Sequence, residues 1–308
     1  MSLKELGVLV ALGAIWGASF MFIKVGGSEI EPFAFVEIRL ALAALVMLVI
    51  SAARKGTLAE IRKRWLPLTI MGLINCALPY TLITWGEVFI NSGLASIYNA
   101  CAPLWAGALL LFIPSSEKTT VGRLVGLLVG FAGVSLVVSS NLHIGTESVW
   151  QWLGQGACLL AALSYAFAGI YGRYALKGVP VQVSATGQLV SGTLMLMPLA
   201  AFQLPQQVPS WQAIGSVVTL AIAGTALASL MYYWLLVRVG ATGTLLVTYL
   251  LPVFALIWGA LLLHESITLL ALLGLVLVLM GIGISSGTGA NLLAWMQHRR
   301  QGSVASSE

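Results

Sequence analysis

Ten long apolar runs dominate the sequence and restrict what the chain can fold into. Each run approaches the roughly 20 residues that a helix needs to cross the hydrocarbon core of a bilayer. At this length only helices satisfy their own backbone hydrogen bonds in lipid. The chain is therefore predicted to be an all-α polytopic membrane protein with ten spans, at 6–24, 32–52, 66–86, 93–113, 121–140, 150–171, 181–203, 211–235, 243–263 and 267–286.

Composition excludes the main alternative classes. Only 8% of the 308 residues are charged and 59% are hydrophobic, whereas a soluble domain carries about 25% charged residues. The net charge of +5 is too small to indicate a nucleic-acid partner. The three cysteines all fall inside apolar runs, so no disulfide framework is expected.

The basic residues are sorted by position along the predicted spans. On one side of the membrane the predicted loops carry Glu29, Glu31, Glu147 and Glu265, and Glu87 is expected at a helix end there. Lys24 is the one basic residue expected on this side. The positive-inside rule therefore predicts that both termini are cytoplasmic. The side assigned to the cytoplasm holds Lys4, Arg54, Lys55, Arg62, Lys63, Arg64, Lys118, Arg123, Arg173, Lys177, Arg238, Arg299 and Arg300.

The two halves of the chain repeat one another. Three residue pairs are 149 positions apart and three are 148 apart, namely Pro103/Pro252, Trp85/Trp234, Trp16/Tyr165, Glu117/Glu265, Gly126/Gly274 and Gly133/Gly281. We expect a first repeat over 1–143, a second over 144–289 and a cytoplasmic tail over 290–308. Because each repeat holds an odd number of helices, the second copy must be inverted, as in many secondary transporters.

Several stretches resemble a known family. They are 13–20 (Gly-Ala-Ile-Trp-Gly-Ala-Ser-Phe), 32–45 with Arg39, 100–103, 250–253, and the glutamates Glu117 and Glu265 before the Gly-rich fifth helix of each copy. Together they are similar to the ten-helix EamA-type members of the drug/metabolite transporter superfamily, most of all to the YddG group. The resemblance implies a basket-like bundle around a central cavity. It also implies export of aromatic and other amino acids across a bacterial inner membrane.

The candidate substrate site lies where both halves carry an intramembrane proline. Pro103 and Pro252 occupy matching positions in spans 4 and 9, Pro79 lies in span 3, and breaks at matching places point to the site. The polar and aromatic candidates inside the spans are Trp16, Asn75, Tyr80, Tyr98, Asn99, Ser164, Tyr165, Tyr232 and Tyr249. They suit an aromatic or zwitterionic substrate better than a phosphate ester. Alternatively, the prolines only shape the bundle and the polar groups bond neighbouring helices.

Two charges, Glu37 and Arg39, are expected clearly within a span, where a charge costs about 2.5–3.5 kcal/mol on insertion scales. Arg39 either snorkels or fixes a helix junction, or it receives a substrate carboxylate at the outer mouth. In the second copy Thr186 and Gln188 replace this pair. Because no acid is expected near the middle of the cavity-forming spans, a facilitator or weakly coupled exporter is predicted.

Other functions fit the sequence less well. The histidines His143, His264 and His298 lie in loops or the tail and no metalloprotease or hydrolase motif occurs, so neither an enzyme nor a metal or cofactor site is expected. Rings of like charge typical of channels are absent from the sequence. A multidrug or other metabolite exporter remains the alternative. The expected partners are a small-molecule substrate and the bilayer, with no nucleic acid. The sequence leaves the oligomeric state open: a monomer is plausible, and the glycines of span 5 could pack helices or form a dimer face.

Overall fold

The computed structural model describes residues 1–53, 56–112, 120–139, 149–203, 205, 207–244 and 246–285. These residues form helices joined by short connections, with no β-strand among them. The helices are α1 (Leu3–Gly26), α2 (Pro32–Ala52), α3 (Thr57–Lys63), α4 (Trp65–Phe89), α5 (Ser92–Asn99), α6 (Ala102–Leu109), α7 (Val121–Ser139), α8 (Val149–Ala175), α9 (Val181–Ala200), α10 (Trp211–Gly240), α11 (Val247–Leu262) and α12 (Leu269–Ser285).

Seven of these helices are long and apolar enough to cross a bilayer, namely α1, α2, α4, α7, α8, α9 and α10. The helices α11 and α12 are apolar but shorter, with 16 and 17 residues. The predicted fourth span consists of α5 and α6, which are separated at Ala100 and Cys101. All ten predicted apolar runs therefore contain helix, and the chain is an all-helical polytopic membrane protein.

Pro103 explains the break between α5 and α6. It lies in the first turn of α6, where its missing N–H and fixed φ are tolerated, whereas inside a continuous helix its ring would clash with the preceding turn. Pro252, its counterpart, lies inside α11, which continues through it. The two prolines are thus accommodated differently in the two halves.

Two of the long helices contain a π-helical segment, which the sequence did not predict. In α4 it covers Leu73–Ala77 and precedes Pro79; in α10 it covers Leu220–Leu227. The hydroxyl of Thr225 donates a 3.0 Å hydrogen bond to the carbonyl oxygen of Leu220, five residues earlier, which matches the wider turn. Segments of this kind often occur at functional sites because they re-aim side chains.

Close helix packing depends on glycines at the contact between α7 and α12. A Cβ on Gly281 would overlap the backbone of Gly130, and one on Gly133 would meet the backbone nitrogen of Val278 at 2.7 Å. The span-5 glycines Gly126 and Gly130 therefore pack inside the molecule, whereas Gly122 has only its neighbour Thr120 nearby. Small residues allow this approach of two backbones in lipid.

Some sequence predictions fall outside the described residues. They concern the basic residues Arg54, Lys55, Lys118, Arg299 and Arg300, the acids Glu117 and Glu147, the histidines His143 and His298, and the tail over 290–308. The proposed boundary between 143 and 144 lies there too.

Candidate functional site

A cavity of about 590 Å³ lies inside the helix bundle. At one end its wall is formed by Ile23 of α1 and Ile83 of α4, which are only 3% and 4% exposed. At the other end it reaches Leu110, Arg123 and Ser285, which follow α6, begin α7 and end α12. The cavity is thus closed by buried apolar side chains at one end and extends to helix ends at the other.

Aromatic rings form much of the wall. The ring centroids of Trp16 and Tyr232 are 5.6 Å apart, and those of Tyr232 and Tyr233 are 5.7 Å apart. Tyr80 of α4 and Tyr165 of α8 also line the cavity. Rings from four helices therefore offer a stacking surface together with phenolic hydroxyls and an indole N–H.

Arg39 places a positive charge in this wall. Its side chain is only 6% exposed, and Nε donates a 3.0 Å hydrogen bond to Oγ1 of Thr225. The guanidinium carbon lies 3.8 Å from the centroid of the Tyr80 ring. No acidic side chain lines the described part of the cavity, and Arg39 forms no ion pair with any described residue. The guanidinium therefore remains available to an anionic group.

The hydrogen bond to Thr225 and the Tyr80 ring hold the Arg39 side chain between α2, α10 and α4. The side chain is buried there and does not extend to the protein surface. Glu37 is half-buried and does not belong to the described cavity wall. One of its carboxylate oxygens has no hydrogen-bond partner among the residues that the structure describes.

Amide side chains complete the polar part of the wall. Nδ2 of Asn75 donates a 2.8 Å hydrogen bond to Oε1 of Gln188, which joins α4 to α9. Gln188, which follows Arg39 by 149 positions, lines the cavity as Arg39 does. Asn99 also lines the cavity, and its buried Oδ1 has no hydrogen-bond partner in the described part of the chain.

Eight of the predicted residues thus line the cavity, namely Trp16, Arg39, Asn75, Tyr80, Asn99, Pro103, Tyr165 and Tyr232. Three predicted polar residues instead pack against neighbouring helices. The hydroxyl of Tyr98, which is fully buried, donates to Oε1 of Gln155 at 2.9 Å. Ser164 donates to the carbonyl oxygen of Ile74 in the π-helical segment at 2.7 Å. The hydroxyl of Tyr249 is buried, with no hydrogen-bond partner in the segments that the structure describes. Pro79 and Pro252 lie outside the wall as well.

Other polar residues of the wall were not among the predicted site residues. They are Ser19, Cys76, Arg123, Gln188, Thr225, Ser229, Tyr233, Thr248 and Ser285. Spacing offered a signal for some of them: Ser19 follows Trp16 by three positions, and Ser229 follows Thr225 by four, so each pair shares a helix face.

Glu87 lies in the last turn of α4, two residues before its end and four residues beyond Ile83. The sequence placed it at a helix end but did not predict its burial: the side chain is only 1% exposed. Both carboxylate oxygens lack a hydrogen-bond partner among the described residues. Glu37 and Arg39 are therefore not the only charged residues enclosed by the bundle.

Three charged side chains bond to helix ends near the closed end of the cavity. Nζ of Lys24 donates to the carbonyl oxygens of Glu87 and Ile90, at the end of α4. Glu265 accepts hydrogen bonds from the backbone and hydroxyl of Ser92 and from the backbone of Gly93, at the start of α5. His264 adopts a left-handed conformation (φ 55°) just before Glu265.

The third of these side chains is Glu29, in the α1–α2 loop. Its carboxylate accepts hydrogen bonds from the hydroxyl of Ser210, at 2.6 Å, and from the backbone N–H of Ser210, at 2.7 Å, just before α10. These two bonds lower the pKa of Glu29 below its usual value. Carboxylates at a helix start and an ammonium at a helix end also complement the helix dipole.

Comparison with known proteins agrees with this architecture. The EamA-like transporter family matches residues 4–139 and again residues 152–287. An uncharacterised transporter, YoaV of Bacillus subtilis, is 26% identical over 91% of this chain and 96% of its own length. An uncharacterised transporter of Archaeoglobus fulgidus is 27% identical over 92% and 98%. An uncharacterised inner membrane transporter, YedA of Escherichia coli, is 27% identical over 82% and 81%.

The fold resembles that of a protein of known crystal structure. It superposes with a TM-score of 0.66, covering 95% of this chain and 99% of its own, at 15% sequence identity. Identity this low indicates a shared fold and nothing further.

Proposed function

Because the chain belongs to the EamA-like transporter family, we propose that it exports small metabolites, above all aromatic and other amino acids, by alternating access. The observation that carries the proposal is the cavity wall, in which the Arg39 guanidinium stands over the Tyr80 ring among further aromatic side chains. Arginine recognises carboxylates through paired charge-assisted hydrogen bonds. Aromatic rings stack on a substrate ring.

The charges of the wall favour this substrate class over cationic drugs. Arg39 and Arg123 are the charged residues in the described wall, and both are positive. A cationic drug would meet like charge and no carboxylate, whereas an amino acid carboxylate would meet Arg39. We therefore rank a multidrug exporter below an exporter of carboxylate-bearing metabolites.

We propose that the bundle consists of ten spans arranged as two inverted five-helix repeats. The repeated match of one family to each half supports the duplication. The π-helical segments support it as well, because 73–77 and 220–227 lie near corresponding positions of the two halves. An odd number of helices per repeat then requires the inversion.

We further propose a bacterial inner-membrane location with both termini in the cytoplasm. The positive-inside distribution and the inner-membrane relative in Escherichia coli support this orientation. The end of the cavity at Arg123 and Ser285 then faces the cytoplasm, and the end at Ile23 and Ile83 faces outward. The conformation described is therefore inward-facing.

The transport cycle follows from this geometry. Substrate enters from the cytoplasmic end, its carboxylate binds Arg39, and its side chain stacks on Trp16 and Tyr232. Rocking of the two repeats then closes the Arg123 end and opens the end at Ile23 and Ile83. Affinity in the millimolar range corresponds to only about −4 kcal/mol, which a few hydrogen bonds and one stacked ring can supply.

Counterflow in proteoliposomes tests the proposal. Liposomes preloaded with unlabelled phenylalanine should accelerate uptake of labelled phenylalanine, which a channel or a scaffold would not do. A parallel panel should include aliphatic amino acids, phenylalanine amide and a cationic drug. Exchange of the drug without exchange of any amino acid would overturn the proposed substrate class. Flux that follows an imposed proton gradient would overturn the facilitator mechanism.

A further inference from the structure

The closed end of the cavity contains a carboxyl group that the transport cycle above does not use. Glu87 is 1% exposed, and neither of its oxygens has a hydrogen-bond partner among the described residues. It lies one helical turn beyond Ile83, which lines the cavity. The group is thus enclosed immediately behind the closed end.

Charged and titratable groups approach Glu87 from four other elements. They are Lys24 of α1, Arg39 of α2, Cys158 of α8 and Glu265 of the α11–α12 loop. The Lys24 ammonium is bonded to two backbone carbonyls and forms no ion pair with the Glu87 carboxylate. Arg39 is held by Thr225 and Tyr80. None of these groups therefore compensates the Glu87 carboxylate directly.

Burial without a hydrogen-bond partner has a different free-energy cost for the ionised and the protonated form of the Glu87 carboxyl group. An ionised carboxylate removed from water without compensation is very costly, whereas the neutral acid is much less so. Glu265 adds to the cost, because its own negative charge is nearby and is held at the start of α5. Exposure to water would remove most of this cost.

We infer that Glu87 is a proton-binding site that controls the closed end of the cavity. Glu87 holds a proton while this end is sealed and releases it to water when the end opens. The inference rests on the alternating-access part of the proposed function and is independent of the substrate.

The direction of the pH effect follows by linkage. The sealed form binds one proton more than the open form, so a low pH favours sealing and a high pH favours opening, by at most about tenfold per pH unit. In the proposed orientation the proton enters and leaves on the outer side in both steps. Glu87 then gates the transporter without driving transport, which agrees with a facilitator.

The accessibility of a native cysteine, Cys158, can show whether the closed end of the cavity opens. Cys158 is fully buried, and its sulfur lies 2.8 Å from the position that a Cβ of Gly86, the neighbour of Glu87, would occupy. Opening of this end should expose the thiol. The experiment measures maleimide modification of Cys158 in the purified full-length protein in detergent, from pH 5 to pH 9, resolved by peptide mass spectrometry. No substrate and no membrane orientation are needed.

The matched variant is Glu87→Gln, which keeps the shape of the protonated acid and cannot release a proton. The rate of Cys158 modification in the wild type is divided by the rate in Glu87→Gln at the same pH. This ratio removes the intrinsic pH dependence of the reaction between the thiol and the maleimide. We expect this ratio to rise by up to about tenfold per pH unit over part of the range. A ratio that is constant between pH 5 and pH 9 would overturn the inference.

Two further variants keep the test decisive. Glu265→Gln removes the acid that interacts with Glu87 and should retain the pH dependence of the wild type. If it abolishes the dependence, Glu265 and not Glu87 is the proton site. Should Glu87→Gln fail to fold, Glu87→Asp should retain the dependence with a displaced midpoint, and an unchanged midpoint would contradict the role of Glu87. Because labelling needs no substrate, a negative result leaves the counterflow test of the proposed function unaffected.

Discussion

The guanidinium carbon of Arg39 lies 3.8 Å from the centroid of the Tyr80 ring. The same side chain bonds to Thr225, whose hydroxyl in turn bonds to the carbonyl of Leu220 in the π-helical segment of α10. Tyr80 follows the π-helical segment of α4 by three residues. One charge is thus held between three helices, two of which carry irregular turns, so its position depends on the conformation of both halves.

Removal of the Arg39 charge should weaken transport of carboxylate substrates selectively. Charge-assisted hydrogen bonds are worth about 1.5–3 kcal/mol, so Arg39→Gln should lower phenylalanine counterflow by about tenfold or more. Phenylalanine amide, which lacks the carboxylate, should lose much less. The exposed Arg62 provides a control, because Arg62→Gln should change neither rate. Equal losses for both substrates would indicate that Arg39 acts only on the fold.

Loss of the Trp16 ring should affect aromatic substrates more than aliphatic ones. An aromatic pair contributes about 0.5–1.5 kcal/mol beyond its buried area. Trp16→Leu should therefore reduce exchange of phenylalanine roughly three- to tenfold relative to exchange of leucine. Trp65, which is 63% exposed, supplies the matched control Trp65→Leu. A parallel loss for both amino acids would argue against stacking at Trp16.

Tyr98→Phe should reduce stability without changing substrate affinity. The variant removes one buried hydrogen bond to Gln155, which costs about 1 kcal/mol and leaves the amide without this donor. Thermal unfolding in detergent should show a lower Tm, while the KM for counterflow stays at the wild-type value. Tyr232→Phe, in the cavity wall, is the comparison variant. If Tyr98→Phe raised KM, the hydroxyl of Tyr98 would contribute to substrate binding.

A methyl group added at the contact of α7 and α12 should destabilise the bundle. At Gly281 the new Cβ would overlap the backbone of Gly130, so the helices must separate. Overpacking of this kind typically costs about 1–3 kcal/mol. At Gly156 of α8 an added Cβ would have no atom of the other described residues within 4 Å, so Gly156→Ala should be neutral or slightly stabilising. When both variants are measured side by side, Gly281→Ala should have a lower Tm than Gly156→Ala.

The contact between Glu29 and Ser210 should depend on pH. Because the hydrogen bonds from Ser210 lower the pKa of Glu29 in the folded protein, their stabilisation is fully present at neutral pH. It disappears as the pH falls through that lowered pKa. Glu29→Gln should therefore be less stable than the wild type at pH 7 and equally stable at strongly acidic pH. Glu31→Gln, in the same loop but at the start of α2, is the control. A stability difference that persists in acid would contradict this origin.

The apolar runs predicted the helices well because membrane-spanning length is a one-dimensional property. The burial of Glu87 was not predictable in the same way. Two residues before the end of α4, it resembles an ordinary interfacial glutamate, and only the helices packed around it remove it from water. The π-helical segments were missed for a similar reason, since the carbonyl of Ile74 is satisfied by Ser164 of another helix.

The candidate site residues also show what the sequence could predict and what depended on helix packing. Trp16, Asn75, Tyr80 and Tyr232 were recognised as unusual because polar and aromatic groups are costly in the middle of an apolar span. Tyr98 was unusual on the same grounds, yet its hydroxyl bonds to Gln155 instead of facing the cavity. In a helix that is apolar on all sides, periodicity does not reveal which face turns inward.

Chain composition and the lengths of the apolar runs were thus sufficient to establish an all-helical membrane protein and to locate its helices, because lipid demands long apolar segments whatever the packing. The tertiary structure decided which side chains share one cavity, that Arg39 stands over Tyr80 within it, and that Glu87 is enclosed behind its closed end. These features depend on helix rotation and on contacts between residues far apart in the chain. The spacing of polar residues along one helix does not encode them.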